Sequence, residues 1–326
     1  MAFRSPSSCS RRSALRAVGL ASAVGLAGCS AFADSNDGPS IRVSGGVGPL
    51  PMMQVWADEY EEANVQVAGG GTGRGVSDVL NDQVDIAMMG REPDEEEVEQ
   101  GLFAVAMLMD TVVGTINEEN PVLDAINEQG LSQEDLAAIF TREVTHWSEV
   151  VDADAEDDEI VVFGRSDSSA AYQKWGEFLG GLSENELESH ADANVNGDQD
   201  IARQVRAGVN AIGFNNVNYI WDANTGEIEG EVRPIPLDLD GDGTLSDEEA
   251  FYETREEFLI AVEEGIYPEP PARQMFLAAN DEFTEEAEAF VEWILSEGQQ
   301  YVRDNGYVPL TDDVLEEQRR TLAEGR

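Results

Sequence analysis

Val65-Gln66-Val67-Ala68 runs into Gly69-Gly70-Gly71-Thr72-Gly73-Arg74-Gly75 and on into Val76 to Leu80. The first four residues read as a strand, the glycines as a tight turn, and the last five as a helix. The same pattern occurs twice more. Ile41-Arg42-Val43-Ser44 leads into Gly45-Gly46-Val47-Gly48-Pro49 and an amphipathic stretch with Met53, Trp56, Ala57 and Tyr60. Ile160-Val161-Val162-Phe163 leads into Gly164-Arg165-Ser166-Asp167-Ser168-Ser169 and then Ala170 to Leu179. Strands alternating with helical stretches predict an α/β architecture. A helix start offers unpaired N–H groups and the positive end of its dipole. Small residues before it let the backbone approach a ligand. Three such turns, with Arg74, Arg91 and Arg165 nearby, point to a site for a small anion.

Other chemistries lack their residues. The run from Gly69 to Gly75 has no terminal Gly-Lys-Ser/Thr, and its glycines miss the dinucleotide-binding offsets. There is no G-x-S-x-G elbow. The histidines are His146 and His190, and His146, beside Trp147, reads as a packing or turn residue. Metal-hydrolase and Ser-His-Asp catalysis are therefore starved of groups, and the chain reads as a non-enzyme.

The charge is extreme. The 326 residues carry 67 Asp+Glu against 19 Lys+Arg, a net charge of −48, with Lys174 as the lone lysine. That excludes a nucleic-acid partner, which needs a basic footprint. The acids are interleaved with apolar periodic segments, so the chain reads as folded and adapted to multimolar salt, as in an extreme halophile of archaeal type. There the Debye length falls to about 3 Å and self-repulsion is quenched. Asp94 to Glu97 and Asp152 to Glu159 read as solvated faces.

The N-terminus departs from this trend, with Arg4, Arg11, Arg12 and Arg16 and no acid before Cys29. Ser10-Arg11-Arg12-Ser13-Ala14-Leu15-Arg16 resembles a twin-arginine export signal. The apolar run Ala17 to Ala27 is 11 residues, short of the roughly 20 a spanning helix needs. It ends in Leu26-Ala27-Gly28-Cys29, which looks like a lipobox with Cys29 as the lipidated residue. Residues 1–28 are thus expected to be the signal and 29–40 a tether. With Cys9 in the signal and Cys29 at its end, the mature chain has no intrachain disulfide.

The ordered set of motifs resembles the phosphate-binding proteins of ABC importers. Gly71-Thr72-Gly73-Arg74-Gly75 is similar to the family's second ligand loop, and Val84 to Arg91 to its VDIxxxSR segment. Ile139 to Trp147 is similar to IFxGxIxxW, Arg165 to Ala171 in part to RxDxSGT, and Ala211-Ile212-Gly213-Phe214 to AIGY. Gly298-Gln299 followed by Gly306-Tyr307-Val308-Pro309-Leu310 resembles the C-terminal signature. The resemblance implies a type II periplasmic-binding-protein fold, two-lobed, each lobe a mixed sheet flanked by helices, with the ligand cleft between. It places the crossings near Asp110–Gly114 and Gly230–Pro234. Lobe 1 would then be 41–112 with 232–326, and lobe 2 would be 113–231.

It also implies an anion site of Val47, Gly48, Thr72, Gly73, Arg74, Arg91, Arg165, Ser169, Ala170 and Ala171. The departures lie there. The first loop has Gly46, Val47 and Gly48 where the family has hydroxyls. The Ser or Asp of the Gly90 position is lost, and SGT becomes Ser169-Ala170-Ala171. Each missing hydroxyl costs about 0.5–1.5 kcal/mol of hydrogen bonding. A carboxylate at the Gly90 position is what accepts the proton of hydrogen phosphate and rejects sulfate in members that have it. The implied role is a lipid-anchored extracytoplasmic receptor, monomeric, that delivers phosphate to the permease subunits of an importer. Another tetrahedral oxyanion (tungstate, molybdate or sulfate) and a calcium-dependent surface sensor or adhesion module remain open.

A separate signal is Asp238-Leu239-Asp240-Gly241-Asp242-Gly243-Thr244-Leu245-Ser246-Asp247-Glu248-Glu249. It fits an EF-hand loop. Asp238, Asp240 and Asp242 stand at positions one, three and five, and Gly243 at six. Thr244 offers its carbonyl at seven, Ser246 stands at nine, and Glu249 is the bidentate twelfth. Calcium is the expected ion, in a structural role, in lobe 1, with a helix following from Glu248.

Overall fold

The computed structural model describes residues 39–153, 159–167 and 169–325. The signal, the lipobox with Cys29 and nearly all of the tether lie outside the described residues.

The first lobe begins with β1 (Ser40–Gly45), α1 (Leu50–Glu59), β2 (Asn64–Gly69), α2 (Thr72–Leu80), β3 (Ile86–Met89), α3 (Glu95–Glu99) and β4 (Leu102–Asp110). The second holds β5 (Val112–Asn117), α4 (Leu123–Gln129), α5 (Gln133–Phe140), β6 (Val161–Arg165), α6 (Ala170–Phe178), α7 (Glu184–His190), β7 (Ala193–Val195), α8 (Gly197–Ala207), β8 (Ala211–Asn216), β9 (Val232–Pro234) and α9 (Arg255–Glu263). The chain then returns through β10 (Arg273–Asn280), α10 (Glu285–Ile294) and α11 (Asp312–Glu324). The sheet orders are β2-β1-β3-β10-β4 and β7-β6-β8-β5-β9. β1 is parallel to β2 and β3, while β10 runs antiparallel to β3 and β4. In the second sheet β6 is parallel to β7 and β8, and β5 is antiparallel to β8 and β9. This is the mixed α/β architecture expected, and all three strand–turn–helix units form.

Local chemistry explains the helix starts. Ser169 caps α6 by accepting from the Tyr172 N–H at 3.1 Å. Ser132 and Asp135 make a capping box on α5, as do Thr254 and Glu257 on α9. Tyr172, Trp175 and Phe178 then lie one turn apart on the buried face of α6. The two lobes have separate cores. One gathers Trp56, Met88, Phe290 and Ile294; the other Trp147, Trp175, Phe214 and Trp221. Among the described residues, no helix is long and apolar enough to cross a membrane.

The first crossing is the single residue Thr111, between β4 and β5, as expected. The second is not at Gly230–Pro234. β9 pairs with β5 in the second sheet, and Ile235, Leu237, Phe251, Tyr252, Phe258, Tyr267 and Ala272 all pack in the second core. The chain returns only at Ala272–Arg273, so residues 232–272, with the calcium-type loop, belong to the second lobe. No helix follows from Glu248 either. Phe251 and Tyr252 turn into the core, and the next helix starts after its cap at Thr254.

Trp175 is fully buried between Phe140, Phe178 and Phe214, with ring centroids 5.4–5.6 Å away. Trp175→Ala is expected to lose about 3–5 kcal/mol of stability, read as a lower melting temperature in multimolar KCl.

Candidate functional site

The three glycine and serine turns open on one cleft between the lobes, of about 1320 Å³. This is the crevice beyond the carboxyl ends of the parallel strands, where open α/β sheets hold ligands. Two glycines make the first two turns possible. Gly45 has φ 142°, and a Cβ there would collide with the Met88 carbonyl. A Cβ on Gly75 would lie 2.6 Å from the Gly45 Cα, so the start of α2 sits directly against the end of β1.

Val47, Gly48, Thr72, Gly73, Arg91, Arg165, Ser169, Ala170 and Ala171 all line the cleft, as expected. Thr72 and Gly73 begin α2, and Ala170 and Ala171 begin α6, so their amides have no acceptor within their own helices. The Thr72 hydroxyl accepts from the Gly90 N–H at 3.1 Å. A Cβ on Gly90 would sit 3.5 Å from the Ala170 Cβ. Gly90, where the resemblance expects Ser or Asp, therefore faces the start of α6 across the cleft. Ser169 is committed twice over: its Oγ caps α6, and its N–H donates to Glu184 Oε1 at 3.1 Å.

Arg74 is the exception. It does not line the cleft; its side chain is 65% exposed and lies 3.5 Å from Asp78. It is the third residue of α2, and its side chain folds back over Gly70, with Cδ 2.7 Å from where a Cβ there would stand, on the outside of the second loop rather than in the cleft. Its backbone can serve the site, while its guanidinium is turned to solvent.

Arg165 ends β6 and is 4% exposed. Its Nε and Nη2 donate to Asp167 at 3.0 and 2.6 Å, and its Nη1 to Asp198 at 2.9 Å. Burial works against its charge, but the two carboxylates more than offset it and its pKa is raised. Burial likewise opposes the charge of Asp167, yet hydrogen bonds from Arg165 and the Gly197 N–H hold its pKa below the usual carboxylate value. Arg91 is gripped by both oxygens of Glu97, at 2.7 and 2.8 Å.

The sequence reading missed three groups on the cleft floor. Asp110, Arg273 and Tyr307 line the cleft, the first two nearly buried and paired across adjacent strands. Burial pushes the Asp110 pKa up, against the pull of Arg273. Tyr307 donates to the Gly48 carbonyl at 2.7 Å and so fixes the first glycine turn. One sequence signal was available. Arg273 opens an apolar strand, and a charge there needs a buried partner.

The calcium-type loop lies away from the cleft, on α4. Leu245 N–H donates to the Glu128 carbonyl at 3.0 Å, and Asp238 N–H to Leu131 at 3.1 Å. Oxygens of Asp238, Asp240 and Asp242 lie within 4.8 Å of one another. Asp238 accepts from the N–H groups of Gly241 and Gly243, both at 2.8 Å. Asp242 accepts from Thr244, and Glu249 accepts from Leu239 N–H and from the Ser246 hydroxyl, the last two at 2.6 Å. The Asp242 N–H favours charge on Asp240, but the carboxylates of Asp242, Glu249 and Asp238 outweigh it and raise the Asp240 pKa. The oxygen donors, their number and their mutual repulsion fit a hard divalent cation.

A family model for the PBP superfamily domain matches residues 30–297. A phosphate-binding protein of Bacillus subtilis, PstS, is 26% identical over 282 residues, covering 84% of this chain and 81% of the relative. Among solved structures, a putative phosphate ABC transporter substrate-binding protein with bound phosphate from Clostridium perfringens superposes with TM-score 0.61 at 22% identity, over 83% of this chain and all of its own. An ABC-type phosphate transport receptor from Vibrio cholerae gives TM-score 0.61 at 21% identity, covering 82% and 99%. The two mixed sheets, the double crossing and the cleft at the ends of the parallel strands place this chain in the PBP superfamily.

Proposed function

We propose that the protein is an extracytoplasmic receptor that captures phosphate in the interlobe cleft and hands it to an ABC importer. The observation that carries this is the convergence of helix-start amides from both lobes, Thr72 and Gly73 facing Ala170 and Ala171, around a buried arginine. The Bacillus relative binds phosphate by its name. The Clostridium structure, which holds phosphate, shares the fold. The receptor performs no chemistry. An anion touching both lobes favours the closed arrangement, because contacts to the second lobe are gained only there. Export by the twin-arginine route and a lipid anchor on Cys29 complete the proposal and put the receptor beside its permease. The missing carboxylate at Gly90 favours a second cargo reading, in which sulfate or tungstate also enters.

Calorimetric titration of the mature chain with phosphate, sulfate and tungstate in multimolar KCl tests the reading. Phosphate is expected to bind at micromolar Kd or tighter. Arg165→Ala is expected to weaken it by about 100-fold, because the cleft loses a buried cation and Asp167 and Asp198 are left as unpaired carboxylates beside the anion. Arg74→Ala is expected to stay within about twofold. A signal from sulfate or tungstate with phosphate silent would change the cargo. Silence from all three would favour the surface-sensor alternative.

We also propose that Asp238, Asp240, Asp242, Thr244, Ser246 and Glu249 hold a structural calcium ion. Positions one, three, five, six, seven, nine and twelve of the loop all carry fitting residues, and Glu249 is almost buried. Calcium at 100-fold its Kd would stabilise the fold by about 2.7 kcal/mol. The expected result is a melting temperature a few degrees higher with calcium than with chelator, abolished by Glu249→Gln. An identical melt in both conditions would refute the site.

A further inference from the structure

Arg273 is the first residue of β10, at the point where the chain re-enters the first lobe. It is 5% exposed and lines the cleft. One terminal nitrogen, Nη2, donates to Asp110. Its Nε and Nη1 are buried and have no hydrogen-bond partner. Leaving charged donors buried and unmatched is costly. Among the described residues that line the cleft, no other charged side chain carries such an orphan. The contrast with the neighbouring arginines is direct. Arg165 has its fork engaged by Asp167 and Asp198, and Arg91 has both terminal nitrogens on Glu97.

The orphaned donors lie close to the first anion loop. Met275, two residues along β10, brings its Cε within 3.1 Å of where a Cβ on Gly48 would stand. Tyr307, which holds the Gly48 carbonyl, is close enough to Asp110 and Arg273 that their charges act on its hydroxyl. Asp110 is itself fixed from the second lobe, accepting from the Asn216 side chain at the end of β8. The guanidinium is therefore held in place at the floor, with two of its donors unmet.

We propose that Arg273 is an anion-contacting residue of the cleft, whose guanidinium donates through one of its unmet N–H groups to the tetrahedral oxyanion that the helix-start amides hold. This rests on the oxyanion-receptor reading above. It also accounts for the thinned hydroxyl set of the first loop, since a guanidinium N–H supplies a charged donor that the residues at 46–48 do not.

The test is calorimetric titration of the full mature chain with inorganic phosphate in multimolar KCl. It compares the wild type with Arg273→Lys and with the double variant Asp110→Asn/Arg273→Met. Lysine keeps a cation opposite Asp110 but lacks the planar guanidinium and its remaining N–H donors. The double variant removes both charges of the pair, so neither is left buried alone. The expected results are phosphate binding about tenfold weaker in Arg273→Lys and about 100-fold weaker in the double variant. Phosphate affinity within twofold of wild type in Arg273→Lys, with the change confined to melting temperature, would make Arg273 a hinge staple only and overturn the proposal. If the double variant does not fold, Arg273→Lys decides alone. If the wild type ignores phosphate but takes sulfate or tungstate, the same comparison on that anion judges Arg273 while the phosphate reading fails by itself. A wild type silent to all three anions would overturn both.

Discussion

Asp110 and Arg273 are register partners on adjacent antiparallel strands, and each stands at one of the two places where the chain changes lobe. Much of the architecture follows from that pairing. β4 leaves the first sheet and, after Thr111 alone, becomes β5 of the second, so the two sheets are anchored to one hinge. The returning strand must then run antiparallel to its neighbours, which is why β10 breaks the parallel run of the first sheet and β5 that of the second. The remaining parallel strands, β1, β2, β3 and β6, deliver their carboxyl ends towards that hinge. Each of the turns that follow β1, β2 and β6 therefore opens on the cleft without any further device.

The proposed anion site, in a chain of net charge −48, looks contradictory until the distances are considered. At multimolar salt the far field of the carboxylates is screened within about 3 Å. What an anion meets is the first layer of atoms. Here that layer holds helix-start amides, whose partial charges are fixed by the backbone, and guanidinium groups paired with the carboxylates of Asp110, Asp167 and Asp198. Arg165 is itself paired with two carboxylates, 2.6–3.0 Å away. Such a pairing keeps the guanidinium ionised and oriented in a buried setting, at the cost of net attraction. Specificity then rests on donor geometry rather than on charge.

The parts of this arrangement legible in sequence were the local ones. The three turns, their helices and Arg165 follow from glycine and apolar spacing within a dozen residues, and Thr72 and Ser169 from the ordered motifs of the family resemblance. Arg74 read as a cleft residue because spacing places its backbone correctly, but spacing does not say which way a long side chain leaves a helix start. Arg273 and Asp110 are 163 positions apart, and their pairing depends on the strand order, which no local pattern states. The second crossing was placed too early for the same reason. β9 completes its sheet at Pro234, and nothing in the sequence marks the excursion from Ile235 to Ala272 as belonging to the lobe it has just finished.

That excursion explains itself through its aromatic residues. Leu237 N–H, one residue before the calcium-type loop, donates to the Tyr252 hydroxyl at 3.1 Å. Tyr252 packs on Phe258 at 5.6 Å between ring centroids, Phe258 on Tyr267 at 4.9 Å, and the Tyr267 hydroxyl donates to the Val112 carbonyl at 2.8 Å. Val112 is the first residue of β5, immediately beyond the first crossing. The acidic loop and the hinge thus stand at two ends of one buried row. Continuity of packing is not by itself coupling between sites. What close packing does supply is rigidity, so the loop, the row and the start of β5 belong to one body. A cation that neutralises Asp238, Asp240, Asp242 and Glu249 would then stiffen the side of the hinge that stays with the second lobe, and leave Thr111 and Ala272 to carry whatever rotation the lobes make.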